Sequence, residues 1–402
     1  MPLTAGFVAR TCTGCADLRA AAAIGQNCAM STSPAFSPPI GPPTGPPPLT
    51  IERDCNLRTL NSFGLPASAH TLVRIRSDAD VRRVLDHPVL GRAPKLVLGG
   101  GSNLVLTRDP AAVVLRVEVP GRRLAATLDD AWIVEFGAGE PWHDAVAWAL
   151  DHGLPGLENL ALIPGTVGAT PVQNIGAYGV ELADRFHSLD AVDLVTGRGV
   201  TLDARACKFG YRDSVFKHGA GSNTSDGRSG GMFGGLAGKS LITRVRLRLP
   251  RPWQPVRGYL DITRRMAETG NTQPDARTLF DWVCAIRRAK LPDPAVIGNA
   301  GSFFKNPVVS AEQCRDITDR DPHLVHYPLP DGRFKLAAGW LIDACGWRGK
   351  SIGGAGVYEH QALVLVNRGT ATGAEVVLLA RAIQESVYGR FGIRLEPEPV
   401  IF

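Results

Sequence analysis

No stretch of the chain reaches the roughly 18 consecutive apolar residues that a membrane-crossing helix needs, so no spanning segment and no membrane partner are expected. Residues 1–30 hold only three charges, Arg10, Asp17 and Arg19, and their longest apolar run is Ala20 to Ile24. They lack the basic start and the apolar centre of a secretory signal, and a cytoplasmic location follows as the expectation. Without export, the eight cysteines have no reason to pair. Cys12-x-x-Cys15 has metal or redox spacing, but no second pair follows at zinc-site distance, so no metal is expected. Charge of one sign is barely in excess: 44 Lys and Arg against 38 Asp and Glu give +6 over 402 residues. That surplus and the absence of a recognition motif give no reason to expect a nucleic-acid partner.

Glycine and proline are plentiful instead, at 45 and 30 residues. Residues 31–48 contain eight prolines, which lack the N–H that helices and sheets require. Residues 1–50 therefore read as a disordered, Pro-rich tail, and the start codon stays open between Met1 and Met30. Residues 219–238 contain eight glycines and read as a flexible insertion. The length suggests more than one domain. The change of character after Pro250 divides the rest into 51–250 and 251–402.

The ordered part mixes strands and helices, which predicts an α+β fold with two lobes. Strands are expected at Thr71–Ile75, Lys95–Leu98, Val113–Val117, Trp132–Phe136, Leu189–Val195, Ile242–Leu249 and Leu363–Val366. Helices are expected after Ser77 and over Glu140–Asp151, Thr278–Lys290 and Glu375–Tyr388, with Ser310 and Gln313 as a capping box. Arg244, Arg246 and Arg248 alternate with Val245, Leu247 and Leu249. That row reads as the wet face of a half-buried sheet rather than a phosphate track. Cys207, Cys284 and Cys345 read as small core residues.

Two glycine-bearing segments stand apart. Gly99-Gly100-Gly101-Ser102-Asn103 follows a short strand, and its successive N–H groups could line an anion. It is neither a dinucleotide fingerprint nor followed by a helix, so a plain hairpin turn stays open as a reading. Residues 156–179, GLENLALIPGTVGATPVQNIGAYG, are small and apolar for over twenty positions, which suits a loop wrapped round a flat ligand.

That segment, with FGYRDS at 209–214, KLPDP at 290–294, GNAGSFFKNP at 298–307 and LEPE at 395–398, resembles the UDP-N-acetylenolpyruvoylglucosamine reductase family over roughly residues 57–402. The resemblance implies a flavin-binding lobe of the vanillyl-alcohol-oxidase type, built of two α/β subdomains, and a C-terminal α+β lobe that covers the substrate. It implies FAD as cofactor and NADPH as the reductant of the flavin. The flavin then delivers hydride to C3 of the enolpyruvyl group of a UDP-sugar, in peptidoglycan precursor synthesis. The same resemblance gives Gly99, Gly100, Gly101, Ser102 and Asn103 to the FAD pyrophosphate. Pro164, Gly165, Thr166, Gly168 and Ala169 go to its ring system, with Ile175 and Tyr178 beside them.

Hydride addition at C3 leaves negative charge at C2, shared with the adjacent carboxylate. A planar, permanently charged Arg212 suits that carboxylate. Glu398 of LEPE would sit with it at the same end, and Ser302 of NAGSFF would give the proton, with help from neighbouring charge or water. Tyr259, Lys290, Asn306 and Gln361 match positions associated with substrate or nicotinamide, with Lys290 as a point charge for diphosphate. Taken singly, each has an ordinary reading: an ion pair of Arg212 with Asp213, a turn for Ser302, solvation for Glu398 and a core aromatic for Tyr178. An FAD oxidase of the same fold and a non-catalytic flavin or nucleotide-sugar binder remain as alternatives. A monomer is expected.

Overall fold

The structure, a computed structural model, describes residues 48–218 and 236–402. The tail up to Pro47, with Cys12, Cys15 and Cys28, and most of the glycine-rich insertion lie outside the described residues. The first strand starts earlier than the sequence suggests. Strand Thr50–Asn56 pairs antiparallel with Ser68–Ile75, so the tail as drawn from the proline count runs past the first strand's start.

The first sheet runs in the order Thr50–Asn56, Ser68–Ile75, Val113–Val117, Lys95–Leu98, and its last three strands are parallel. Helix Asp78–Asp86 follows the second strand, and the Ser77 hydroxyl accepts from Asp80 N–H at 3.2 Å, as its cap position requires. The second sheet is antiparallel: Gly199–Asp203, Phe186–Asp193, Ser240–Pro250, Ala131–Gly137, Arg122–Thr127. In Ser240–Pro250, Val245, Leu247 and Leu249 are buried, while the arginines between them take carboxylates. Arg246 meets Asp190 at 2.6 Å and Glu135 at 2.7 Å, and Arg244 and Arg248 meet Asp78 and Asp130. The row is an ion-paired sheet face.

The C-terminal part holds a four-stranded antiparallel sheet, Asn299–Ser302, Val364–Asn367, Ala355–Val357, Ser351–Ile352. A three-stranded sheet of Val308–Val309, Phe334–Leu336 and His326–Pro328 lies in the same part, with helix Gly373–Phe391 as its longest helix. The two cores do not change over at Pro250. Ile262, Leu279, Phe280 and Val283 belong to the core that contains Val134, Trp142 and Leu160. Phe63, Leu65 and Val105 belong to the core of Phe303, Leu341 and Ile383. Each half thus lends apolar side chains to the other, and residues 48–402 form one compact unit.

Local chemistry moved some boundaries. The strand expected to reach Val195 ends at Asp193, because the Asp193 carboxylate accepts from the N–H groups of Val195 and Thr196 and turns the chain. The helix expected from Glu140 begins at Trp142, because Glu140 is engaged by Gly121 N–H and the Arg122 guanidinium. Ser310 caps helix Ala311–Arg320 by accepting from Gln313 N–H, which is one half of the expected box. Cys207 and Cys284 are buried as expected, whereas Cys345 is only partly so. Among the described residues no helix is long and apolar enough to cross a membrane.

Candidate active site

A cleft of about 300 Å³ opens where the first sheet, the 156–179 loop and the C-terminal lobe meet. One wall is the turn Gly99–Asn103 that follows strand Lys95–Leu98, and it lies against the Pro164–Ala169 loop. Their approach leaves no room for side chains. A Cβ on Gly100 would stand 2.6 Å from Gly165 Cα, whereas Gly101, at φ +64°, is closed in from another side, where a Cβ would run into the Leu60 carbonyl. Ser102 Oγ donates to Pro164 O at 3.0 Å and closes the seam. Pro164, Thr166, Ala169 and Ile175 line the cleft, whereas Gly165 and Gly168 sit just behind, against Ser102 and Ala138.

The first part of the long loop does a different job from the expected flavin contact. Glu158 is buried and accepts from Trp253 Nε1 at 2.5 Å and from Gly156 N–H at 2.7 Å. Asn159 Nδ2 donates to Tyr178 O and Val256 O, each at 2.9 Å. GLENL therefore anchors the loop to the segment after strand Ser240–Pro250, which packs on the same core, and the cleft begins only at Ile163. Tyr178, at φ +49°, is not among the lining residues. Its ring packs edge-on to Tyr259 with centroids 5.1 Å apart, and burial pushes its hydroxyl up to about 12.

Arg212, Ser302 and Glu398 all line this cleft. Arg212 holds a left-handed backbone at φ +53°. Its Nη2 donates to Gly176 O at 2.7 Å, and its Nε stands 3.4 Å from Glu398 Oε1. Asp213 is engaged instead by His218 at 2.7 Å, so the ion pair between sequence neighbours is not what forms. Asn174 fixes the Arg212 loop from below. Its Nδ2 donates to Gly210 O and Glu181 Oε2, and its Oδ1 accepts from Ala183 N–H.

Glu398 arrives on the terminal segment, which bridges the halves. Its N–H donates to Phe303 O at 2.9 Å, one residue beyond Ser302, and Phe304 bridges to Pro397. Its carbonyl accepts from Asn103 Nδ2 at 3.2 Å, and Val400–Ile401 then runs parallel to Leu104–Val105. Burial pushes the Glu398 carboxyl up, and Arg212, Lys217 and Lys305 pull it back. Ser302 ends its strand beside Gly301, and its hydroxyl makes no hydrogen bond to the described residues.

The other expected positions are not brought to the cleft wall. Lys290 Nζ is held by both Asp261 oxygens at 2.6 Å. Asn306 Oδ1 accepts from Ala338 N–H at 3.0 Å. Gln361 Oε1 accepts from Leu363 N–H at 3.4 Å, and Tyr259 precedes the helix Leu260–Thr269 without a side-chain capping bond and is exposed. The lining residues that the sequence did not single out include Gln173, Thr170 and Arg287, the last on the helix Ala276–Lys290. Arg287 sits in a charged, amphipathic stretch that gives no sign of facing a ligand.

Thr166 Oγ1 and Arg287 Nε are buried without a hydrogen-bond partner among the described residues. A cleft with two such groups and a glycine seam fits a ligand with both polar and flat apolar parts. A dinucleotide flavin has both.

The comparisons agree. A family model described as an FAD binding domain matches residues 69–205. A second, the C-terminal domain of UDP-N-acetylenolpyruvoylglucosamine reductase, matches 293–402. A UDP-N-acetylenolpyruvoylglucosamine reductase of Azoarcus sp. is 56% identical over 357 residues, covering 88% of this chain and 98% of its own length. The chain belongs to the UDP-N-acetylenolpyruvoylglucosamine reductase family. A second member, from Burkholderia vietnamiensis, is 55% identical over 88% of this chain and 97% of its own. The solved reductase of Thermus caldophilus superposes with a TM-score of 0.57 at 25% identity, covering 88% of this chain and 99% of its own. The family's fold is therefore the fold of this chain, with the FAD-binding part first and the family's C-terminal domain after it.

Proposed function

We propose that Arg212, Glu398 and Ser302 carry the chemistry of this family member. The enzyme is an FAD-dependent reductase that uses NADPH to convert UDP-N-acetylenolpyruvoylglucosamine to UDP-N-acetylmuramate, in peptidoglycan precursor synthesis. The observation that supports the assignment is the meeting of all three residues at one cleft, with Arg212 and Glu398 delivered by opposite halves of the chain.

Bound FAD would supply the hydride chemistry between NADPH and the enolpyruvyl carbon. Residues Gly99 to Asn103 offer main-chain N–H groups to its pyrophosphate. Pro164, Thr166, Ala169 and Ile175 offer its rings an apolar wall, and Tyr178 supports that wall from behind. Arg212 holds the substrate carboxylate and stabilises the negative charge that C2 shares with it, a stabilisation larger in a cleft shielded from water. Glu398 sets the field at the same end, and Ser302 holds the proton at Oγ that C2 receives. Tyr259, Lys290, Asn306 and Gln361 are assigned to the nucleotide-sugar or the nicotinamide outside the cleft. The flavin-bearing part is taken as 51–250 and the substrate-bearing part as 251–402. A cytoplasmic monomer with no nucleic-acid or membrane partner completes the proposal.

The test separates the half-reactions of the Ser302→Ala holoenzyme. NADPH should bleach the flavin at the normal rate, and reoxidation by the enolpyruvyl substrate should nearly cease. Survival of both half-reactions would remove Ser302 from the mechanism.

A further inference from the structure

Lys217 ends the short turn Val215–Lys217 that follows the Arg212 loop. It is half-buried and does not line the cleft. Among the described residues, no carboxylate lies within salt-bridge reach of its ammonium. Its Nζ instead stands 3.4 Å from the main-chain carbonyl of Arg212 and 3.4 Å from that of Glu398. These are the two residues that meet at the cleft, and they come from opposite halves of the chain. Two carbonyls are a poor exchange for the water an ammonium gives up, so packing alone does not account for a lysine here.

We propose that Lys217 is a positioning residue for the reduction: its ammonium joins the main chain of Arg212 to that of Glu398, and its charge acts on the Glu398 carboxyl. The proposal rests on the catalytic reading of those two residues. A tie between carbonyls fixes the two backbones without occupying either side chain. The 3.4 Å gap between Arg212 Nε and Glu398 Oε1 is then set from behind.

Among the described residues, the groups facing Glu398 are few enough to name. Arg212 and Lys217 come from the 210–217 loop, and Lys305 follows the strand that ends at Ser302. Tyr211 faces it from the same loop as Arg212, and Glu396 lies on its own segment, held by Lys305 at 2.6 Å. Lys217 in turn is pushed down by burial and by Lys305, and is supported by Glu398, Asp213 and Glu396. Neutralising Lys217 therefore removes a cation from Glu398 and raises the pH at which that carboxyl ionises.

The test compares Lys217→Met, Lys217→Gln and Lys217→Arg holoenzymes, with Glu398→Gln alongside, in single-turnover half-reactions. Bleaching by NADPH should proceed as in the wild type in all three Lys217 variants, which also reports that each folds and keeps its flavin. Reoxidation by UDP-N-acetylenolpyruvoylglucosamine should fall about tenfold or more in the Met and Gln variants and recover in the Arg variant, because a displaced transition-state partner costs on this scale. One limb of its pH profile should move up by about one unit in the Met and Gln variants and stay in place in the Arg variant. A residue that only fills space would move no limb. Wild-type reoxidation in both neutral variants, or an Arg variant as slow as the Met variant with the limb unmoved, would overturn the proposal. Wild-type reoxidation in Glu398→Gln would instead overturn the catalytic reading on which it stands.

Discussion

Glu398 Oε1 stands 3.4 Å from Arg212 Nε, with 9% and 19% of their side chains exposed. The Arg212 Nη2 also donates to Gly176 O at 2.7 Å and its Nη1 to Asn174 O at 3.5 Å, so a substrate carboxylate must share the guanidinium with these partners. A lysine at this place is not a conservative change, because a point charge cannot serve the carbonyl, the glutamate and a planar carboxylate together. Arg212→Lys should slow reoxidation by the enolpyruvyl substrate about a hundredfold or more, and leave bleaching by NADPH intact. Stopped-flow absorbance of the flavin reads both steps, and equal slowing of the two would show that Arg212 acts on the flavin.

The buried Glu398 carboxyl also predicts a pH effect on stability. Its folded value is raised above the ordinary 4.5, chiefly by burial. Its contribution to stability is then full below that ordinary value and is lost as pH rises through the folded one. A neutral glutamine does not suffer this loss. The melting temperature of Glu398→Gln minus that of the wild type should be flat in acid and grow towards neutral pH. A difference that stays flat through pH 8 would mean that the surrounding cations cancel the burial.

The glycine seam can be tested by one methyl group. Gly100→Ala puts a carbon 2.6 Å from Gly165 Cα, and the three nearest atoms are all backbone. Parting the two loops should cost about 1–3 kcal/mol. The protein should purify pale, with a low ratio of flavin to protein absorbance. Full retention of flavin would show that the seam opens without affecting the site.

Away from the cleft, Trp253→Phe removes the 2.5 Å hydrogen bond to the buried Glu158. Leaving that carboxylate short of a donor should cost about 1–3 kcal/mol in denaturant unfolding. The rate of the enolpyruvyl step should change much less than in Arg212→Lys. A large loss of rate with no loss of stability would mean that GLENL contacts the ligand after all.

Much of the site was legible in the sequence because its parts are contiguous. GGGSN, the small residues from Pro164 to Ala169 and the motifs holding Arg212, Ser302 and Glu398 are short runs whose order carries the family. The alternating burial of Val245, Leu247 and Leu249 was legible for the same local reason. What escaped depends on distant partners. Nothing near Glu158 points to Trp253, 95 positions later, and nothing near Lys217 points to a carbonyl 181 positions away. Arg287 is one arginine in a charged helix until the fold turns it towards the cleft. Lys290, chosen for diphosphate, meets Asp261 only once the helices Leu260–Thr269 and Ala276–Lys290 have packed.

The terminal segment gives the site a history as well as a shape. Glu398 is held by Asn103 and Lys217, partners 295 and 181 positions back along the chain. Closing such long loops adds little to the free-energy cost, since that cost grows only with the logarithm of length. It weighs on the clock instead, because contacts of high sequence separation form late. The sheets and helices can assemble around a site that still lacks its glutamate. On refolding, helical signal should return before the power to reoxidise flavin, and the interval between them times the arrival of the last strand.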